Sequence, residues 1–199
     1  MVTKTSSVSR KTFVAREDLL NRMAEVAKTQ GCSLFELVND LFQLAIASDE
    51  LNSSLKRIVE ERKVLEMAKN SGFILGLECL WYELADSSYK NDPEAALKSW
   101  SDSGAWFAAQ YLTGEGSFSF EQFKNDLTAL TWNAPEFTID QEKNKIIVKV
   151  TSPRFTEAYT HLFASFLAGA IENFGYQPTR KDVSRGIIRL NATRTVKSK

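Results

Sequence analysis

Side chains able to do chemistry are few in this chain, and they stand apart. His161 is the single histidine among 199 residues, and Cys32 and Cys79 are the two cysteines. The cysteines have no CxxC spacing, so they read as free thiols rather than a zinc site or a disulfide framework. His161 directly precedes the apolar pair Leu162 and Phe163. There it can anchor a ligand or sense pH, or it can be a satisfied structural histidine. No GxGxxG, no phosphate loop and no pair of carboxylates with helical spacing into a cleft accompanies these residues. Catalysis therefore has nothing to assemble, and neither an enzyme, a metal nor a resident cofactor is expected. Aromatic residues are the type that recurs. Trp81, Trp100, Trp106, Tyr111 and Trp132 can line a pocket for a small molecule, because ligand sites are mostly apolar with a few polar groups. A stripe of aromatics at helical spacing is more often plain core.

Charge supplies the second signal. The formal net charge is zero, but its distribution is uneven. Met1–Arg16 carries Lys4, Arg10, Lys11 and Arg16 and no acid, which makes +4. Tyr176–Lys199 carries seven cations against Asp182, which makes +6 and leaves −10 for the stretch between. Basic ends on an acidic body suit a polyanionic partner at one end and water elsewhere. The basic C-terminus offers either further phosphate contacts or a solvated tail. No apolar run is long enough to span a bilayer and Met1–Arg16 has no signal-peptide core, so a cytoplasmic protein with no membrane partner is expected.

The elements behind the basic N-terminus are legible. Arg10–Arg16 alternates as a strand, with Phe13 and Ala15 on one face and Arg10, Thr12 and Val14 on the other. A helix is predicted over Glu17–Gln30, with Leu19, Leu20, Met23, Val26 and Ala27 in one stripe and Gly31 as its stop. Ser33-Leu34-Phe35-Glu36 reads as a capping box that starts a second helix. Leu34, Phe35, Leu37, Val38, Leu41, Phe42, Leu44, Ala45 and Ile46 cover most of that helix's circumference. A helix apolar nearly all round must be buried on more than one side, and a segment of under fifty residues cannot do that alone. A second copy of the chain can.

Strand, helix, glycine turn and helix over Arg10–Ile46 resembles the ribbon-helix-helix repressors. The resemblance implies a homodimer whose paired strands form an antiparallel ribbon in the major groove of double-stranded DNA. Carried over by position, Arg10, Thr12 and Val14 face the bases and Lys11 belongs to the same strand. Arg can pair bidentately with guanine and Thr can bond either base type. Val14 stands where the family carries a polar residue, and it can touch a thymine methyl. The resemblance also implies a phosphate held at the start of the second helix, on the backbone around Ser33 and Leu34.

Beyond this module, Leu51–Lys69 is a charged helical stretch with Leu51, Ile58 and Leu65 seven apart, closed by Asn70-Ser71-Gly72. Phe73–Leu84 is apolar and aromatic, and its period does not separate strand from helix. Asp92-Pro93 starts a helix that runs to about Leu112, and Ser119–Gln122 looks like another capping box. Phe137–Asp140 and Lys145–Thr151 read as a hairpin. Ser152-Pro153 is expected to open a long helix that ends at Gly175, with strands near Arg180–Ser184 and Gly186–Thr193 after it. This order, with the phrase Phe166-Leu167-Ala168-Gly169-Ala170-Ile171-Glu172, is similar to 4-vinyl-reductase-type sensor domains and the small subunits of the TRAPP tethering complex. That resemblance covers Glu94–Ala192. It implies an α+β dimer with a pocket for an apolar or aromatic effector, here placed at Trp81, Trp106, Tyr111, Trp132 and His161. Some relatives hold zinc through cysteines in the last hairpin, and this chain has none there.

The fold class expected is therefore α+β. It comprises a ribbon-helix-helix domain over 1–50, a connecting helix over 51–71, and an α+β sensor or dimerisation domain of helices and antiparallel hairpins over 72–199. The function expected is a homodimeric transcriptional regulator modulated by a small molecule. The alternative is an antitoxin or partition-type DNA-binding protein whose C-terminal domain grips a protein partner.

Overall fold

The computed structural model describes residues 11–112 and 120–195. It is an α+β protein of seven helices and one four-stranded antiparallel sheet among those residues. The chain divides into two compact units, Met1–Arg62 and Lys63–Lys199.

In the first unit, α1 (Glu17–Gln30) starts where the sequence places it, with Glu17 and Asp18 at its positive end. Arg16 caps it through backbone only, and its guanidinium pairs with Asp18 at 2.6 Å. Gly31 ends α1 in the left-handed region (φ 72°), where a side chain would be strained, and the Cys32 amide closes back on the Ala27 carbonyl at 3.0 Å. The capping box then starts α2 (Leu34–Glu50). The Glu36 amide donates to Ser33 Oγ at 3.2 Å, and the Ser33 amide donates to Glu36 Oε2 at 2.8 Å. After a turn through Asn52, α3 (Leu55–Asn70) follows. Its surface carries the ion pairs Lys56–Glu60 and Arg57–Glu61 at i,i+4 spacing. Leu51 falls in the turn before α3, so the expected row of sevens keeps only Ile58 and Leu65 on the helix. The division between the units falls within α3.

The strand expected over Arg10–Arg16 is not formed in the single chain. Residues 11–16 precede α1 without ladder partners, and Arg10 lies outside the described residues. A strand exists only by its hydrogen bonds to another strand, and the first unit has none to offer among its described residues.

The second unit is built around α7 (Glu157–Asn173), buried along most of its length. One side of α7 packs on a sheet of order β1-β2-β4-β3, made of Glu136–Glu142, Lys145–Thr151, Ile187–Arg194 and Tyr176–Ser184 respectively. Alternation decides which face of the sheet is inside: Ile146, Val148 and Val150 on β2 and Ile188, Leu190 and Ala192 on β4 are buried. The other side of α7 packs on α4 (Glu78–Asn91) and α5 (Pro93–Ala109), and α6 (Phe120–Leu130) closes the core with Phe123 and Leu127. Helices α5 and α7 meet at two glycines. A Cβ on Gly169 would stand 2.8 Å from the Ser101 carbonyl carbon, and one on Gly104 equally close to that of Phe166.

Three boundaries differ from the sequence reading. Helix α7 starts at Glu157 rather than at Ser152-Pro153, because Thr156 takes the cap, accepting from the Tyr159 amide at 3.2 Å. Ser152 instead ties the loop down, donating its amide to the Gly186 carbonyl and its hydroxyl to that of Asn133. The ambiguous Phe73–Leu84 stretch divides, with no regular structure over Phe73–Leu77 and helix from Glu78. Strand β3 begins at Tyr176 and absorbs Pro178 at an irregularity between Pro178 and Arg180, a position an edge strand tolerates. Asp92 caps α5 as read, accepting from the Ala95 amide at 3.0 Å. The capping box expected at Ser119 lies outside the described residues.

Candidate functional site

In the basic leader every described residue from Lys11 to Arg16 is exposed. The Phe13 ring meets Phe42 of α2 edge-on at 5.5 Å between centroids, while Val14 is 99% exposed. Lys11 and Thr12 are exposed as well. The leader thus rests one half-exposed ring on α2, and its other residues, Ala15 included, face water.

At the start of α2 the capping box decides which groups can hold an anion. The Ser33 amide already donates to the Glu36 carboxylate, so Ser33 is not a ready phosphate donor. Leu34, in the first turn, lies outside the two bonds of the box. Hydrogen bonds from the Ser33 backbone, and then from its hydroxyl, hold the Glu36 carboxyl below the usual carboxylate range. A fixed negative charge therefore sits beside the expected phosphate position, an opposing feature that the sequence carried in the box itself.

Helix α2 is the other candidate feature. Its buried residues are Leu37 and Ser48. Phe35, Leu41, Phe42, Leu44 and Ile46 remain between 37% and 62% exposed. The first unit therefore holds in water the apolar surface that the sequence marks as core.

The five residues expected to line an effector pocket are not gathered around one cavity among the described residues. Trp106 and Trp132 are each 61% exposed, and Trp81 is also exposed. Tyr111 is core. Its ring packs on Phe107 and Phe123 at 5.4 and 5.5 Å, and its hydroxyl donates to Asp126 at 3.0 Å. Burial, and next the Asp126 charge, push its hydroxyl pKa up. His161 stacks on Tyr89 at 5.8 Å and lies 3.1 Å from Glu157 Oε1, a helix-surface arrangement. Trp100 packs edge-on against Tyr159. The pattern that suggested a pocket was helical spacing, which serves core and surface equally. The depression beside Trp106 is open, and Ala95, Ser99 and Ser103 line it together with Lys98 and Asp102, which pair with each other.

The basic C-terminus is likewise largely not a tail. Arg180, Lys181, Arg185, Arg189 and Arg194 lie on the β3–β4 hairpin, while Lys197 and Lys199 fall outside the described residues. Arg180 pairs with Asp182 at 2.8 Å and Arg194 stands over the Tyr176 ring. Lys181 Nζ donates to Ser165 Oγ at 3.1 Å, and burial lowers its pKa against an opposing pull from Glu172. Sequence reasoning missed a polar cluster under α4. There Tyr82 donates to Glu78 and Arg154 pairs with the same carboxylate at 2.9 Å. The spacing of Glu78 and Tyr82, four apart, was the available signal.

Among the described residues no three His, Cys, Asp or Glu side chains stand together as metal ligands would, and no helix is long and apolar enough to cross a membrane. No family model matches the chain, and no curated protein matches it. A solved structure described as "Probing the function of heme distortion in the H-NOX family" is similar over 73% of this chain and 93% of its own, at 15% identity and a TM-score of 0.35. A superposition that distant carries no argument here.

Proposed function

We propose that the chain is a homodimeric DNA-binding regulator of the ribbon-helix-helix kind, in which two copies of the first unit pair to form both the ribbon and its core. The observation that carries this reading is the exposure of α2. Five large apolar side chains stay in water on a helix that is well capped and apolar nearly all round. Burying them against a second copy recovers on the order of 1 kcal/mol per half-exposed side chain, several kcal/mol per chain. The same pairing brings two leaders together, giving each the strand partner it lacks. Phe13 then faces the core, and Thr12 and Val14 face outward.

Fluorescence anisotropy with random duplex and with an operator recovered by genomic footprinting tests the reading. Binding should weaken steeply as salt rises, with a log–log slope set by the number of phosphates neutralised. Arg10→Ala with Thr12→Ala should remove the preference for operator, and Ile46→Asp should unpair the first units so that the protein binds neither duplex. Operator affinity unchanged by Arg10→Ala with Thr12→Ala would overturn base reading by this segment.

A further inference from the structure

The sheet of the second unit ends in two edge strands, β1 and β3. A sheet edge presents a row of unpaired amides and carbonyls, and folds guard such edges with proline, lysine or a bulge. Strand β3 carries these guards: Pro178, the irregularity after it, and Arg180 and Lys181. Strand β1 carries none of them. Its residues Glu136–Glu142 pair with β2 in unbroken register and include no proline, glycine or cation. Roughly half of its backbone groups point away from β2, and among the described residues none of them meets a partner outside the ladder. Phe137, Ile139 and Gln141 lie on the α7 side of the sheet, where the Gln141 amide donates to the Tyr176 hydroxyl at 2.7 Å. Glu136, Thr138, Asp140 and Glu142 lie exposed on the open side, and none of the three carboxylates has an ion pair among the described residues.

We infer that β1 is a docking edge for a partner protein, which adds an extended basic segment as a fifth strand, its alternate Lys or Arg side chains set against Glu136, Asp140 and Glu142. Charge selects this occupant. An added strand lies about 5 Å from β1 and about 10 Å from β2. The three carboxylates are thus the charges nearest to it. Lys145 and Lys149 share the open side but stand on β2, further from the added strand than a screening length of about 8 Å. Lys143 stands in the β1–β2 turn, beyond the end of the strand. Helix α6, which packs at β1, carries Glu121, Lys124 and Asp126, and Lys124 pairs with Glu121 at 3.3 Å, so the helix adds one further acid. A second copy of β1 would set carboxylate against carboxylate, and a nucleic acid would meet the same repulsion. A neutral strand would gain the backbone bonds and leave the three acids unpaired. The edge belongs wholly to the second unit, so this contact is independent of the proposed ribbon.

Hydrogen exchange of the full chain, read by nuclear magnetic resonance, tests this with an octapeptide of alternating Lys and Val. Alternate amides of Glu136–Glu142 should slow when the peptide is added, while those of the other edge, β3, stay unchanged. The same peptide N-methylated throughout keeps every charge but cannot pair, and it should neither bind nor protect. A peptide of alternating Glu and Val should not bind either. Glu136→Lys with Asp140→Lys, both at exposed positions, should raise the dissociation constant of the labelled Lys peptide roughly 30-fold, the effect of turning two attractive cross-strand pairs into repulsive ones. Glu136→Gln with Asp140→Asn should give a smaller rise in the same direction. No binding at millimolar peptide overturns the inference, as does equal affinity for the N-methylated peptide, protection that falls elsewhere than β1, or a dissociation constant that the substitutions leave unmoved. Protection of the β1 amides that grows with the concentration of the chain alone would put another copy on the edge and overturn it too.

Discussion

Replacing Gly169 by alanine tests the packing on which the second unit depends. The added methyl would stand 2.7 Å from Ser101 Oγ and 2.8 Å from the Ser101 carbonyl carbon, with the carbonyl oxygen closer still. The hydroxyl can rotate away, but the carbonyl belongs to α5 and cannot move without it. Helices α5 and α7 must therefore part by roughly 1 Å to restore ordinary van der Waals contact. That separation loosens ring contacts between the same helices, Trp100 on Tyr159 and Phe107 on Phe166. Overpacking of a core costs about 1–3 kcal/mol, and a backbone obstacle puts this case at the upper end, about 3 kcal/mol. Alanine regains about 1 kcal/mol over glycine in a helix, which leaves a net loss of about 2 kcal/mol. In a unit of this size that corresponds to a fall in Tm of about 8 °C. Urea titration followed by tryptophan fluorescence measures it. Gly104→Ala should behave alike, because its methyl meets the Phe166 carbonyl of the same helix pair. The double variant should lose less than the sum of the two, since helices already parted accept the second methyl more easily. A Gly169→Ala protein as stable as the parent refutes the close approach of α5 and α7.

Three further outcomes follow from named contacts. On the proposed reading, Glu36→Gln should raise DNA affinity roughly fivefold in anisotropy titrations, because it removes a like charge beside the phosphate position proposed at the start of α2. A fall in affinity would mean that this helix end does not face the backbone. The Glu36 carboxyl titrates below its ordinary value of 4.5, so its stabilisation of α2 is complete above that pH and is lost as pH falls through the lower folded value. Circular dichroism should show helix loss in the acid range that Glu36→Gln abolishes. Thr160 is fully buried, donates to the Thr156 carbonyl at 2.6 Å and accepts from the Gly186 amide at 2.9 Å. Thr160→Val should cost about 2 kcal/mol in urea and deprotect the Gly186 amide in hydrogen exchange.

Much of this protein is determined locally. Helices α1 and α2 begin where charge, capping box and glycine stop place them, because these are contacts between residues three to five apart. The β1–β2 hairpin and the Asp92 cap are local in the same sense. Alternation and helical spacing also select the inner faces of β2, β4 and α7. Tertiary structure decided the rest. Thr156 displaced Ser152-Pro153 as the start of α7 because the Ser152 amide and hydroxyl are drawn to Gly186 and Asn133, distant in sequence. Trp81, Trp106 and Trp132 went to the surface while Tyr111 entered the core, a sorting that periodicity cannot make, since each sits on a helix or its flank and only the packing of α4, α5, α6 and α7 chooses the side. The last hairpin, read near Arg180–Ser184 and Gly186–Thr193, grew to Tyr176–Ser184 and Ile187–Arg194 because β3 pairs with β4 along its length. The sequence by itself marked α2 as too apolar for one small unit, and the structure leaves that face in water. It also exposes Leu80, Trp81 and Leu84 on α4, which periodicity alone did not single out, because a helix with two apolar sides shows no clear stripe until one side has been buried.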